Sequence, residues 1–294
     1  MHLPVLLQES IEGLSLRPGD TVIDATLGGG GHSREILKRI LPGGRLIAVD
    51  RDQEAIDRNY LKFEEFKDSI IFINENFREI KKIMLISGEK KVKGAIFDLG
   101  MSSFQVDDES RGFSFLKDGP LDMRFKRTEG ISARDVINSF TKEELVDIIK
   151  EYGEERYAKH LVNVLYSERK KKRIETTKDL SDVAVKALGR KYSNQRLHPA
   201  CRTFQALRIF VNDELGAEEE ALNGIFDYLE PEGRVSVISF HSLEDRIAKR
   251  VFRDKAKKKE INIITKKPII PSEKERKENP RARSAKLRIA EKIL

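Results

Sequence analysis

The sequence predicts a Rossmann-like α/β fold with an inserted all-helical domain, and three observations carry this prediction. Short apolar runs alternate with helical patterns over the first hundred residues, which is typical of a parallel sheet. A run of glycines joins the first apolar run to a helical pattern, as in nucleotide-binding βαβ units. From residue 131 to about residue 200, every apolar pattern has helical spacing.

The glycine run lies near the start of the fold. A lead-in helix over Leu6–Leu14 precedes the first strand, Thr21–Ile23, which ends in Asp24. Gly28–Gly31 follow, and the next helical pattern extends to Ile40. The alternative for the glycine run alone is a tight turn that uses glycine for a positive φ.

The second strand favours nucleotide binding over a simple turn. It spans Arg45–Val49 and ends in Asp50, which lies 20 residues past Gly30. At that distance an acidic residue at the tip of the second strand reaches the hydroxyl pair of a ribose.

The carboxylate of Asp24 bears on which nucleotide binds. If buried, it would repel a pyrophosphate placed against the glycine loop. It would suit S-adenosylmethionine, which carries an ammonium and a sulfonium and no phosphate. The loop resembles the D-x-G-x-G-x-G pattern of Rossmann-like methyltransferases at Asp24, Gly28 and Gly30, and departs from it at Thr26.

The alternation continues through two more strands. The predicted elements are a helix over Gln53–Phe66, a strand over Ile70–Ile73, a helix over Arg78–Leu85 and a strand over Gly94–Phe97. Parallel α/β sheets bind ligands at the carboxyl ends of their strands. The residues at or just past such ends are Asp24, Asp50, Phe77 and Asp98. We therefore expect these four side chains to line one site.

The middle of the chain predicts a helical insertion. Residues 106–127 are loop-like, and Thr141 and Glu144 form a capping box that starts a helix. Two further helices contain Leu161–Leu165 and Leu180–Leu188.

The C-terminal part returns the chain to the sheet. The predicted elements are helices over Thr203–Leu215 and through Leu229, a turn at Pro231–Gly233, a strand over Arg234–Phe240, a helix from His241 and a last strand over Ser284–Ile293. We predict a discontinuous methyltransferase domain of residues 1–108 and 200–294, and an inserted helical domain of residues 109–199.

Composition excludes several classes of protein. One cysteine excludes an internal disulfide, and with five scattered histidines it predicts no metal site. No apolar run reaches the length of about 18 residues that a membrane helix needs. The first residues lack the basic and apolar regions of a signal peptide. We expect a cytoplasmic protein without a membrane segment.

Positive charge is concentrated in two places. Residues 246–294 contain 18 Lys and Arg against 6 Asp and Glu, whereas the whole chain has a net charge of +7. A second basic run is Arg169–Arg173. These residues predict a phosphate-binding surface, and the alternative is a solvated face or a flexible tail.

Ten stretches of the chain resemble one family of enzymes. They are HSREIL, IAVDRD, FDLGMSS, RGFSF, DGPLDMR, YGEER, HPACRTFQALRI, VNDEL, GRVSVISFHSLEDR and ENPRARSAKLRIAE. Together they resemble the bacterial RsmH (MraW) family over nearly the whole chain. The resemblance implies a class I S-adenosylmethionine-dependent methyltransferase that modifies the exocyclic N4 amine of a cytosine in the decoding centre of 16S ribosomal RNA.

The resemblance also implies site residues and partners. The implied cofactor contacts are Gly30, Gly31, His32, Asp50, Phe77, Asp98 and Gln105. The implied partner is 16S ribosomal RNA or the small ribosomal subunit. The sequence leaves the oligomeric state open, with a homodimer as one candidate.

Asp98 is the candidate catalytic residue. The amino group of cytosine is a poor nucleophile because its lone pair is delocalised into the ring, so a hydrogen-bond acceptor is needed at the site. Asp98 could hold the cofactor, the amine, or both in turn, and the resemblance favours the cofactor. Many amino-methyltransferases of DNA have Pro-Pro-aromatic after this position, whereas this chain has Leu99-Gly100-Met101.

Other side chains have weaker claims to a role in the site. The target base must leave its stack, and the aromatic residues that could receive it are Phe104, Phe113, Phe115 and Phe240. Core packing is the alternative for each of them, and a structural role is the interpretation for Cys201.

Three other functions compete with RNA methylation. They are methylation of DNA or protein, dinucleotide-dependent oxidation, and RNA binding without catalysis.

Overall fold

A computed structural model describes residues 4–193 and 197–293. The chain divides into two compact units, one formed by residues 1–101 and 215–294 and the other by residues 102–214. The predicted domain boundaries at 108/109 and 199/200 stay a prediction for the biological domains.

The first unit contains one seven-stranded sheet within the described residues. The strands are β1 (Thr21–Asp24), β2 (Arg45–Asp50), β3 (Ile70–Asn74), β4 (Val92–Asp98), β5 (Leu229–Ser239), β6 (Ile261–Ile263) and β7 (Lys286–Lys292). Their order in the sheet is β3-β2-β1-β4-β5-β7-β6. The first five strands are parallel, and β7 pairs antiparallel with both β5 and β6. The predicted Rossmann-like α/β fold is confirmed.

Helices cover both faces of this sheet. They are α1 (Leu7–Leu14), α2 (Gly31–Ile40), α3 (Gln53–Lys62), α4 (Ile80–Ser87), α11 (Glu214–Tyr228), α12 (Ser242–Lys257) and α13 (Glu273–Glu278). Successive strand residues point to opposite faces. Ile23 therefore packs in one cluster with residues of α4, α11 and α12, whereas its neighbour Val22 packs in another with residues of α1 and α2.

The second unit is helical in its described residues. Its helices are α5 (Ser103–Asp107), α6 (Ala133–Ser139), α7 (Lys142–Gly153), α8 (Ala158–Lys171), α9 (Thr177–Tyr192) and α10 (Cys201–Asn212). The capping box predicted at Thr141 and Glu144 starts α7. Residues 108–131 form loops and a short 3-10 turn.

Three predicted boundaries are wrong. The helix predicted through Leu215 breaks at Asp213, which adopts a left-handed conformation between α10 and α11. The predicted turn at Pro231–Gly233 lies inside β5, where the pairing with β4 shifts register. The helix predicted to reach Phe66 ends at Lys62, and a 3-10 turn follows it.

Candidate cofactor and catalytic site

The glycine loop approaches neighbouring side chains too closely for any other residue type. Gly30 has a φ of 80°, and a Cβ there would lie 2.5 Å from Asn59 Oδ1 and 2.7 Å from the Phe63 ring. The amide of Asn59 donates to the carbonyl oxygens of Gly28 and Ala55, each at 2.8 Å. The side chain of Asn59, on α3, thus supports the loop. The conformation of the loop requires glycine at position 30.

Asp24 is buried at the end of β1 and is bound by the loop itself. It is 1% exposed. Its carboxylate accepts hydrogen bonds from Ser33 Oγ at 2.6 Å and from the Thr26 amide at 3.1 Å. Burial raises the pKa of Asp24 to about 6, although these two hydrogen bonds oppose the rise.

Asp50 at the end of β2 is tied to the same loop. Its two carboxylate oxygens accept the amides of Gly28 and Asp52, each at 2.9 Å. Burial raises the pKa of Asp50 to about 6, while the two hydrogen bonds lower it. Each carboxylate oxygen has two lone pairs, so Asp50 keeps acceptor capacity for hydroxyl groups.

Among the three carboxylates at the strand ends, Asp98 at the end of β4 is the one with a buried oxygen that has no hydrogen-bond partner. Its backbone amide donates to Thr26 Oγ1 at 2.7 Å, and its Oδ2 lies 3.5 Å from His32 Nδ1. Its Oδ1 is buried and has no hydrogen-bond partner. Burial raises the pKa of Asp98 well above the ordinary value, and the nearby charges of Asp24 and Glu244 add to the effect.

The start of α12 presents Glu244 to this cluster. Glu244 is 2% exposed, and it accepts the Phe240 and His241 amides at 2.7 and 3.2 Å in a capping box. The imidazole of His241 lies 3.1 Å from the same carboxylate. His241 therefore caps α12, the helix predicted to begin at this residue.

The structure brings most of the predicted cofactor contacts to one edge of the sheet. Gly30, Gly31, Asp50 and Asp98 belong to the loop and to the strand ends, and Phe77 follows β3 with its ring packed edge-on against Phe97 at 5.9 Å. A Cβ on Gly31 would lie 2.2 Å from Pro4.

Two predicted contacts have other partners. The side chain of His32 is buried between Asp98 and the carbonyl of Val5, which lies 3.3 Å from Nε2. Gln105 belongs to the second unit, where its side chain accepts the Ser102 amide at 3.1 Å and caps α5. The cofactor roles of both residues stay predictions.

Three residues that support the site were not predicted from the sequence. Thr26 connects the loop to β4, Ser33 binds Asp24, and Asn59 supports the loop from α3. Of these three residues, only Asn59 stands in a sequence pattern that indicates a structural role. It stands at helical spacing from Ala55 and Ile56 on the buried face of α3, where a polar residue needs partners.

The aromatic candidates fall into two groups. Phe113 is 5% exposed and stacks on Phe125, and Phe115 stacks on His198, so both pack within the second unit. Phe240 is half-buried near Gly100 at the carboxyl edge of the sheet, and Phe104 is 39% exposed.

Two other sequence predictions concern the second unit. Burial raises the pKa of the Cys201 thiol, which disfavours the thiolate that a nucleophile needs. In the basic run, Arg169 donates to the carbonyl oxygens of Ile137 and Phe140. Three of the four basic residues that follow it form ion pairs with carboxylates. These pairs are Lys171 with Glu168, Lys172 with Asp179 and Arg173 with Glu175. Much of this run therefore has structural partners.

No cluster of three or more His, Cys, Asp or Glu side chains suited to a metal ion occurs in residues 4–193 and 197–293. Within the same ranges, no helix combines the length and apolarity needed to cross a membrane.

Replacing Asp24 by asparagine is expected to change how stability depends on pH. The folded pKa of about 6 exceeds the ordinary value of 3.8, so folding favours the protonated form. The resulting stability is present below about pH 4 and is lost as pH rises through 6. Between pH 4.5 and 7.5 the unfolding free energy of Asp24→Asn should therefore improve relative to wild type, by about 2–3 kcal/mol. Urea denaturation across this range tests it, and a constant difference would contradict it.

Comparison with known proteins places the chain near a set of methyltransferases. The model of the MraW methylase family matches residues 1–293. A protein of Finegoldia magna named ribosomal RNA small subunit methyltransferase H is 46% identical, over 100% of this chain and 99% of that one. A protein of the same name from Brevibacillus brevis is 44% identical, over 99% and 98%. The solved structure of TrmN from Thermus thermophilus is 12% identical with a TM-score of 0.47, over 98% of this chain and 48% of that one.

Proposed function

Because the chain belongs to the MraW methylase family, we propose that it methylates small-subunit ribosomal RNA. It transfers a methyl group from S-adenosylmethionine to the exocyclic N4 amine of one cytosine in the decoding centre of 16S ribosomal RNA. The observation that carries this proposal is the family match over residues 1–293, which includes the glycine loop and all three strand-end carboxylates. The same match argues against a dinucleotide-dependent oxidoreductase.

The residues of the site suit S-adenosylmethionine. Gly30 leaves no room for a side chain, so the backbone of the loop can approach a ligand closely. Asp24 and Asp50 supply negative charge for a cationic ligand, and Asp50 can accept hydrogen bonds from ribose hydroxyls. The unpartnered Oδ1 of Asp98 is a buried polar atom of the kind that a ligand satisfies.

When bound, S-adenosylmethionine supplies a methyl group on a sulfonium, which leaves as a neutral thioether. This chain's residues align the reactants, and alignment alone can lower the barrier by roughly 7–11 kcal/mol. Asp50 and the glycine loop hold the nucleoside part at the ends of β1 and β2. Phe77, at the end of β3, offers an aromatic surface beside it.

Asp98 acts on the target amine. Its raised pKa makes the carboxylate a better proton acceptor than an ordinary aspartate. As the nitrogen forms its bond to the methyl carbon, the Oδ1 atom accepts a hydrogen bond and then the departing N–H proton. His32, 3.5 Å from Oδ2, holds the carboxylate in place.

The remaining predictions fit this function and extend the proposal. Residues 1–108 and 200–294 form the methyltransferase domain, and residues 109–199 form an inserted helical domain. The substrate is 16S ribosomal RNA, free or in the small subunit, which locates the enzyme in the cytoplasm, and a homodimer is the proposed assembly.

Replacing Asp50 by alanine is expected to weaken cofactor binding. The carboxylate would accept charge-assisted hydrogen bonds from two ribose hydroxyls, worth roughly 1.5–3 kcal/mol. Affinity for S-adenosylmethionine should therefore fall by about tenfold or more, as measured by calorimetry. Asp57→Ala removes an exposed carboxylate from α3 and should leave affinity unchanged. A folded Asp50→Ala protein with wild-type affinity would remove Asp50 from the site.

Transfer of a labelled methyl group tests the reaction. Purified protein with tritiated S-adenosylmethionine should label undermethylated small-subunit RNA, and it should leave DNA and bulk protein unlabelled. Calorimetry should show binding of S-adenosylmethionine and none of NAD. Cofactor binding with no transfer to RNA, in free form or in subunits, would favour RNA binding without catalysis.

A further inference from the structure

A basic pocket lies beside β6, the edge strand of the sheet. It has a volume of about 460 Å³ and is lined by residues of α12, β6, β7 and the loop that follows β6. All of these elements belong to the first unit. We call this cavity the β6 pocket. The site described above, at the carboxyl ends of β1, β2 and β4, does not include it.

Four cations line the β6 pocket, and they differ in their partners. Arg288 is 7% exposed and donates to Asp245 at 2.7 Å, and Arg253 donates to Asp254 at 3.0 Å. Lys249 and Lys266 are exposed, and neither has a hydrogen bond or ion pair within the described ranges. The lining therefore includes two ammonium groups, of Lys249 and Lys266, that have no partner among the described residues. It also includes a buried guanidinium, of Arg288, that is held by Asp245.

The rest of the lining is suited to a sugar. Phe252 is 1% exposed and Ala256 and Ile263 are half-buried, so the pocket has an apolar wall. Asn262 adds an exposed side-chain amide, which can both donate and accept hydrogen bonds. Cations, an amide and an apolar wall together match a ribose with its phosphates, since most nucleic-acid contacts of proteins go to phosphate and sugar. The 2′-hydroxyl of RNA can both donate to and accept from such an amide.

The β6 pocket lies along β6 and β7 on the amino side of the reacting edge of the sheet. Its far end is at Asn262, which pairs with Glu291, five residues past Lys286 and about 17 Å from that edge. Strand β5 ends at Ser239, opposite Lys286, and Arg288 is two residues further along β7, or about 7 Å from that edge. Lys249 is seven residues past the first residue of α12, or about 10 Å along the helix. A strand whose target base enters the site at this edge can reach the pocket within a few nucleotides.

We propose that the β6 pocket binds the ribose–phosphate backbone of the RNA substrate beside the target cytosine, through Lys249, Lys266 and Asn262. This proposal rests on the proposed function, since it takes ribosomal RNA as the substrate. To that function it adds the pocket in which the RNA backbone binds. Within the basic C-terminal segment, it assigns phosphate binding to Lys249 and Lys266, which line the pocket and have no partners among the described residues.

Charge reversal in the pocket tests this proposal. The variant Lys249→Glu/Lys266→Glu should bind a 16S ribosomal RNA transcript about tenfold or more weakly at moderate salt. The slope of log affinity against log salt should fall by about 1.4–1.8, the value for two lost phosphate contacts. Affinity for S-adenosylmethionine should match that of wild type. The milder Lys249→Gln/Lys266→Gln variant should also weaken RNA binding and lower its salt slope. It serves as the test if the charge-reversed variant does not fold.

A matched control separates the pocket from general charge effects. Lys67→Glu/Lys90→Glu makes the same change in net charge at two exposed lysines just before β3 and β4, neither of which lines the pocket. It should bind RNA within about twofold of wild type.

The outcomes distinguish the two proposals. Wild-type RNA binding that survives in both pocket variants, or that falls equally in the control, would overturn the pocket and leave the proposed function intact. Wild-type protein that neither binds nor methylates the RNA would overturn the proposed function, and the pocket with it.

Discussion

Asp98→Asn is expected to slow methyl transfer by about 100-fold at saturating S-adenosylmethionine. The amide keeps the shape of the side chain and one acceptor oxygen, but it cannot take a proton from the target amine. Positioned acid–base groups contribute typically about 10²–10⁴-fold, and we expect the lower end because an acceptor remains. Single-turnover transfer to small-subunit RNA measures this step apart from binding and product release.

The kinetic pattern separates the two roles that Asp98 could have. If Asp98 serves mainly to hold the cofactor, the variant should raise the KM for S-adenosylmethionine and keep kcat. If it prepares the amine, kcat should fall while cofactor affinity is kept, which is the result we expect from the unpartnered Oδ1. A variant with normal cofactor affinity and a normal single-turnover rate would remove Asp98 from the chemistry.

Gly30→Ala is expected to abolish useful cofactor binding and to destabilise the fold by about 2–4 kcal/mol. A non-glycine residue in the left-handed region costs about 1–2 kcal/mol. The new Cβ would also lie 2.5 Å from Asn59 Oδ1, so Asn59 must move and weaken its bond to the Gly28 carbonyl, worth about 1 kcal/mol. The loop that should face the ligand then loses its support.

Gly88→Ala is the matched control for this prediction. Gly88 has a φ of 74° at the end of α4, and a Cβ there would meet nothing within 4 Å. It therefore carries the same backbone strain without the collision. Chemical denaturation should show a smaller loss of stability than for Gly30→Ala, with normal cofactor affinity. Equal losses in the two variants would mean that Asn59 does not hold the loop.

The strand ends were predictable because their rules are local. An apolar run that ends in a carboxylate, repeated in β1, β2 and β4, places Asp24, Asp50 and Asp98 at one edge once the strands are parallel. The helix starts at Thr141 and His241 were predictable for the same reason, since a cap depends on residues only a few positions apart.

The contacts that assemble the site could not be predicted from local sequence patterns. The bond from the Asp98 amide to Thr26 joins residues 72 positions apart, and nothing in either segment marks the other as its partner. Strand β6 has only three residues, which is too short for a period of two to stand out. Pro231–Gly233 has the composition of a turn, and within β5 these residues lie at a shift of register, since β4 pairs with Leu229 and next with Arg234.

The most direct test of the account is the chemical identity and position of the methylated nucleoside. Undermethylated small ribosomal subunits would be incubated with the protein and S-adenosylmethionine that carries a deuterated methyl group. Mass spectrometry of the digested 16S ribosomal RNA should then find the label on the N4 nitrogen of one cytosine in the decoding centre, and none with Asp98→Asn in the same short reaction time. Label on carbon 5 or on a ribose hydroxyl, or no label at all, would contradict the account.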